Sequence, residues 1–143
     1  MTERMSAKQY REQFVEPLAV DRARLTLTAM PPSANGLRKS FIKEGKVFSV
    51  KSDEYSGWRK AAVSEIQSQG AGRIVGPYFL FVTAQRHWRS KRARDIDNIL
   101  KPISDALVKA GIVEDDCLAE WVSARWADDL GGHAVVIDVE VCS

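Results

Sequence analysis

The sequence predicts an α+β fold, a mixed sheet with two main helices packed on one side. Three observations predict it. β-forming runs alternate with two helical stretches, 52–69 and 98–110, each carrying an apolar face. Pro77-Tyr78-Phe79-Leu80-Phe81-Val82-Thr83 is the most apolar run in the chain and has the length of a central strand. The order strand, hairpin, helix, strand, helix, strand, strand, without internal repeat, is that of an α+β sheet with helices on one side.

At 143 residues the chain is the size of one ordinary domain, and 45% hydrophobic with 28% charged residues is a composition that folds. A boundary is expected near residue 22, with 1–22 an extension and 23–143 the domain. Net charge is only +2, so any case for a polyanionic partner rests on where the charges lie. Cys117 and Cys142 have no C-x-x-C spacing and only His87 and His133 could join them, so free thiols are expected, not a zinc site. No apolar run approaches the roughly 20 residues that span a bilayer. The N-terminus is polar with no signal-peptide core, and a cytoplasmic location without membrane contact is expected.

In chain order, Ser6 followed by Gln9 has the spacing of a capping box, and with Tyr10, Phe14 and Leu18 at four-residue spacing predicts a short helix ending near Pro17, read as a non-catalytic appendage. Arg24–Met30 alternates as a strand and is stopped by Pro31-Pro32, with Asn35-Gly36 a turn dipeptide. Leu37–Ile42 and Val47–Val50 flank Lys43-Glu44-Gly45-Lys46 as a hairpin. Arg38, Lys39, Lys43, Lys46 and Lys51 suit either a phosphate backbone or a solvated surface. Ser52 is the expected cap of a helix to Gln69 that Gly70 ends; Tyr55, Trp58, Ala62 and Ile66 share its apolar face and read as scaffold. Leu118–Trp126 and Ala134–Val141 are strands separated by Gly131-Gly132, and the alternation of the second predicts a half-buried strand at the sheet edge.

The chemistry concentrates after the central strand. Arg86 to Arg94 carries five positive charges, one aromatic and no acid, and it runs straight into Asp95-Ile96-Asp97-Asn98-Ile99-Leu100-Lys101. A basic loop beside acids suits a polyanion held next to a metal. In an extended segment Asp95 and Asp97 leave the same face, and carboxylates held together need a cation or a proton between them. Ile99, Ile103, Ala106, Leu107 and Ala110 form an apolar helix face opposite Asp97, Lys101 and Asp105. Asp97 is a candidate N-cap and Gly111 a C-terminal stop, while Pro102 requires an irregular first turn or a regular helix starting near Lys101. The chain leaving Gly111 is expected to return Glu114-Asp115-Asp116 to the start of this helix. All-oxygen donors without His or Cys suit Mg²⁺, with Mn²⁺ as substitute, and such an ion with a lysine beside it suits attack on a phosphodiester.

Arg94-Asp95-Ile96-Asp97-Asn98 with Lys101, Asp105-Ala106-Leu107, Ala110-Gly111 and Asp115-Asp116 resembles the signature of the RusA-type Holliday junction resolvases. Pro31-Pro32-Ser33 followed by Asn35 resembles that family's loop after its first strand, and the element order agrees from about Leu25 to Val141. The resemblance implies a Mg²⁺-dependent endonuclease of recombination and repair, a homodimer that nicks two opposed strands of a four-way DNA junction to leave ligatable ends. It places metal-binding acids at Asp95, Asp97 and Asp116 and the essential lysine at Lys101, with Asn98, Asp105 and Asp115 as positioning groups around them. Asn35, Arg38, Lys39, Arg89, Lys91, Arg92 and Arg94 would face DNA. Ala34 departs from the pattern, where the better-known member has a second asparagine.

Two other classes compete. A branched-DNA-binding module without cleavage would keep the basic stretches but leave the acidic set without purpose. An enzyme acting on small phosphates would want a G-x-x-x-x-G-K loop, which is missing.

Overall fold

The structure is a computed structural model that describes residues 17–32, 38–51, 53–88 and 95–142, with backbone alone for 38–43 and 47–51. Its elements are β1 (Arg22–Leu27), β2 (Arg38–Lys43), β3 (Lys46–Lys51), α1 (Asp53–Ser68), β4 (Tyr78–Gln85), a 3-10 turn (Ile96–Ile99), α2 (Leu100–Lys109), a second 3-10 turn (Asp116–Leu118), β5 (Ala119–Ala127) and β6 (Val135–Val141). The predicted N-terminal helix lies outside the described residues. From Leu18 the chain is already docked, because Val20 donates to the Arg73 carbonyl and Arg73 back to that of Leu18, at 2.9 and 3.0 Å.

Four strands form one mixed sheet in the order β1-β6-β4-β5, parallel only between β4 and β5, while β2 and β3 make a separate hairpin. Parallel neighbours need a crossover, and α2 supplies it. β4 is interior, as its apolar run predicts. β6 is interior too, between β1 and β4, which corrects the expectation of an edge. Val135, Ile137 and Val139 are buried on the helix side. On the other side Asp138 and Glu140 face Arg24 and Arg22 across the β1 register, with Nε to carboxylate distances of 2.7 and 3.7 Å. Alternation therefore reports one open sheet face, not an edge.

The edges are β1 and β5. Part of the backbone edge of β1 is covered by side chains at the end of α1: Gln69 accepts from the Thr26 N–H and donates to its carbonyl, at 2.9 and 2.8 Å, and Glu65 accepts from the Thr28 N–H. The outer edge of β5 has no strand beside it among the described residues and exposes Trp121 and Val122.

Both helices bury the faces their spacing predicts. Tyr55, Trp58, Ala62 and Ile66 of α1 meet Ile103, Ala106 and Leu107 of α2 and the inner side chains of β1, β4 and β6 in one core. No helix among the described residues is long and apolar enough to cross a membrane.

The end of α2 sets the path of the chain beyond it. Gly111 takes a φ of 80°, its N–H donates to the Val108 carbonyl, and the Ile112 N–H donates to that of Leu107 at 3.0 Å. These two bonds are a Schellman termination. Ile74 then donates to the Ile112 carbonyl at 2.7 Å, tying the exit to the body. Gly111→Ala meets nothing within 4 Å, so its cost is backbone strain, about 1–2 kcal/mol. At Gly72, also at positive φ, a Cβ would lie 2.7 Å from the Leu18 carbonyl oxygen and 2.8 Å from Val20 Cγ1. Urea denaturation should therefore rank Gly72→Ala as the more damaging of the two, and the reverse order would contradict this account of how the N-terminal segment docks.

Candidate functional site

The site is built where α2 starts and where the chain returns after it. Pro102 decides the local geometry. It occupies the third position of α2, where a backbone N–H has no intrahelical partner to lose. The preceding turn is consequently 3-10, closed by Asn98 N–H to the Asp95 carbonyl at 3.2 Å and by Leu100 N–H to that of Asp97. Two expectations are corrected by this turn. Asp97 is not an N-cap, since it lies inside the turn and Asp95 holds the cap position without a side-chain bond. Nor do Asp95 and Asp97 share an extended segment, so the two-residue periodicity does not set their common direction. Both are exposed, beside the partly buried Asn98.

Lys101 is the hinge of the site. Its Nζ lies 3.1 Å from Asp105 Oδ1, one helical turn on, and 3.3 Å from Asp116 Oδ2 on the returning chain. The predicted return of Asp116 to the start of the helix is thus present. Its turn is fixed by Asp115, whose Oδ1 accepts from the Cys117 N–H at 2.9 Å, and this bond is the main cause holding the Asp115 carboxyl below the usual carboxylate range. Asp105, then Asp116, raise the pKa of Lys101, so it is an ammonium at neutral pH. Its side chain is 59% exposed, and ion pairs so exposed contribute roughly 0–1 kcal/mol. Stability does not explain why three charged groups meet here.

Of two tyrosines that the sequence assigned to the core, Tyr55 reaches the site and Tyr78 feels its charge. The Tyr55 hydroxyl donates to Asp105 Oδ2 at 2.6 Å, while the residue is 1% exposed. Burial first, and then Asp105, push the phenol up to about 12. Tyr78 is fully buried, and its hydroxyl has no hydrogen-bond partner among the described residues. Burial raises its pKa, with smaller contributions from Asp116 and Asp115. The available signal was the phenol itself, an aromatic with a polar tip that seeks a partner when buried.

Among the described residues no three Asp, Glu, His or Cys side chains gather as a ready-made metal cage. Mg²⁺ asks for less, since it keeps several waters and is completed by substrate phosphates around one or two carboxylates. The all-oxygen donors present fit such an ion in kind.

The predicted DNA-facing residues Asn35, Arg89, Lys91, Arg92 and Arg94 lie outside the described residues, and for Arg38 and Lys39 only the β2 backbone is described. At the head of the basic run, Arg86 turns back onto Asp128, Nε to Oδ1 at 3.0 Å, and Trp88 packs against the core.

The family model for the endodeoxyribonuclease RusA matches residues 29–140, from just past β1 almost to the end of β6. The chain belongs to the RusA family. The crossover junction endodeoxyribonuclease RusA of Aquifex aeolicus (strain VF5) is 32% identical over 97 residues, covering 68% of this chain and 75% of that protein. In this RusA-family chain the span matched by the family model contains the hairpin, both helices and every acid of the cluster from Asp95 to Asp116.

The burial of Tyr55 against Asp105 has a titration signature. A folded pKa raised above the ordinary 10 stabilises the fold fully below pH 10, and this contribution is lost as pH rises towards 12. Urea midpoints should fall across that window in the wild type and fall less in Tyr55→Phe. Parallel curves would mean that Tyr55 is not a buried phenol of raised pKa.

Proposed function

We propose that this chain is a Mg²⁺-dependent endodeoxyribonuclease that resolves four-way junctions by nicking two opposed strands, and that it acts as a homodimer. The contact of Lys101 with Asp116 carries the reading. It brings the conspicuous cation of the motif onto an acid fifteen positions later, on a returning chain whose path is fixed by backbone bonds. Family membership and the name of the Aquifex relative support the substrate class.

In this reading the ion, Mg²⁺ or Mn²⁺ in its place, would be held by one or two carboxylates of the set Asp95, Asp97 and Asp116, with water and substrate phosphate completing its shell. When bound, it supplies an activated water and charge neutralisation at the phosphodiester. The chain's own work is electrostatic and positional. Asp115 holds the turn that presents Asp116. Asp105 keeps Lys101 charged and close, so that its ammonium faces the negative charge developing on the phosphate and leaving oxygen. Asn98, beside Asp97 in the turn, orients the acids around it. Asn35, Arg38, Lys39, Arg89, Lys91, Arg92 and Arg94 hold the backbone of the junction, and Arg86 can exchange its exposed pairing with Asp128 for a phosphate. Among the described residues the chain carries one such cluster, so paired nicks call for a second copy related by a two-fold axis. Trp121 and Val122, exposed on β5, offer apolar surface for it.

Purified protein should nick a synthetic four-way junction with Mg²⁺ and lose that activity on chelation. Asp97→Asn should lower the cleavage rate at least about 100-fold while junction binding is kept or tightened, because the removed charge repels phosphate. Junction binding by the wild type without any cleavage of branched DNA would favour the non-cleaving module instead.

A further inference from the structure

We propose that Tyr55 is a positioning residue for Lys101, acting through Asp105. The inference rests on the proposed role of Lys101 and extends it into α1, a helix that otherwise serves as scaffold.

The two oxygens of Asp105 are divided between two partners. Oδ2 accepts from the Tyr55 hydroxyl at 2.6 Å and Oδ1 faces Lys101 Nζ at 3.1 Å. A carboxylate on an open helix face can rotate about its side-chain bonds, and a lysine beyond it adds its own flexible stem. With one oxygen fixed, the direction of the other is fixed too. The anchor is itself rigid. The Tyr55 ring is buried, stacked on Trp58 with centroids 6.5 Å apart, and lies under the Arg59 guanidinium at 5.4 Å. Trp58 in turn donates from Nε1 to the Ala29 carbonyl at 3.1 Å. The chain of contacts thus runs from the end of β1 through the α1 core to Asp105, Lys101 and Asp116.

The chemistry of the position points the same way. A phenylalanine would fill the same core volume without the desolvation that drives the phenol up to about 12. The phenol is protonated at neutral pH and donates to Asp105 Oδ2. A lysine held only by exposed carboxylates would sample many rotamers. A lysine held by a carboxylate that is clamped from the core is delivered to one place, which is what preorganised charge stabilisation requires.

Tyr55→Phe removes one oxygen and keeps the ring. The single-turnover rate constant for junction cleavage, at saturating enzyme and Mg²⁺, should fall about 10-fold, with junction affinity unchanged. In an Asp105→Ala background the same substitution should change the rate less than about twofold, since the two residues act in series. A merely structural tyrosine would lower the melting temperature and the active fraction, leave the rate constant per active enzyme alone, and combine additively with Asp105→Ala. A second readout needs no cleavage. In protein labelled with ¹⁵N-lysine, the Nζ resonance lost in Lys101→Arg should move towards those of solvent-exposed lysines in Tyr55→Phe. If the wild type cuts no branched DNA, the proposed function fails, and the resonance alone decides the positioning. An unmoved resonance with an unchanged rate overturns the role of Tyr55.

Discussion

Everything distinctive about this chain depends on one cation shared between two carboxylates, Lys101 between Asp105 and Asp116. The first partner is local, one helical turn away. The second is the product of the fold. It exists only because α2 stops at Gly111 with a left-handed residue, Ile112 is tied to Ile74, and the short turn at Asp116–Leu118 begins under the Asp115 cap before β5 starts. Each of these is a backbone bond or a capping bond, so the approach of Asp116 to Lys101 is set by main-chain geometry. The side chains then finish it.

The rest of the scaffold supports the same point. The parallel pairing of β4 with β5 requires a crossover, and the helix that makes it carries the lysine on its exposed face while Ile103, Ala106 and Leu107 are buried beneath it. Removing a large apolar side chain from that face, Ile103 or Leu107 to Ala, would typically cost about 2–5 kcal/mol, far more than the exposed ion pairs contribute. Packing therefore fixes where the charged face points, and the charged face adds little to stability. Groups so placed are available for chemistry.

Much of this was legible in the residues. Helical spacing named the buried faces of both helices, and turn dipeptides with apolar runs named the strands, because periodicity reports which side of an element meets the core. The misreadings have specific causes. Asp97 looked like a cap until Pro102 was placed, since a proline at the third helical position leaves room for an extra 3-10 turn ahead of it. β6 looked like an edge because its alternation reports one open face, whereas its interior place comes from pairing with β4 and with β1, more than a hundred positions earlier. Tyr55 was assigned to the core correctly, yet its hydroxyl reaches Asp105 from fifty residues away. Long-range polar pairings leave no local period, and they were the part that needed coordinates.

In the proposed mechanism Lys101 is the group whose charge acts on the reacting phosphate, and its removal tests that most directly. In single-turnover cleavage of a bound four-way junction, Lys101→Met should cut at least about 100-fold more slowly than the wild type, with junction affinity and melting temperature nearly unchanged. Cleavage by Lys101→Met at close to the wild-type rate would contradict the account.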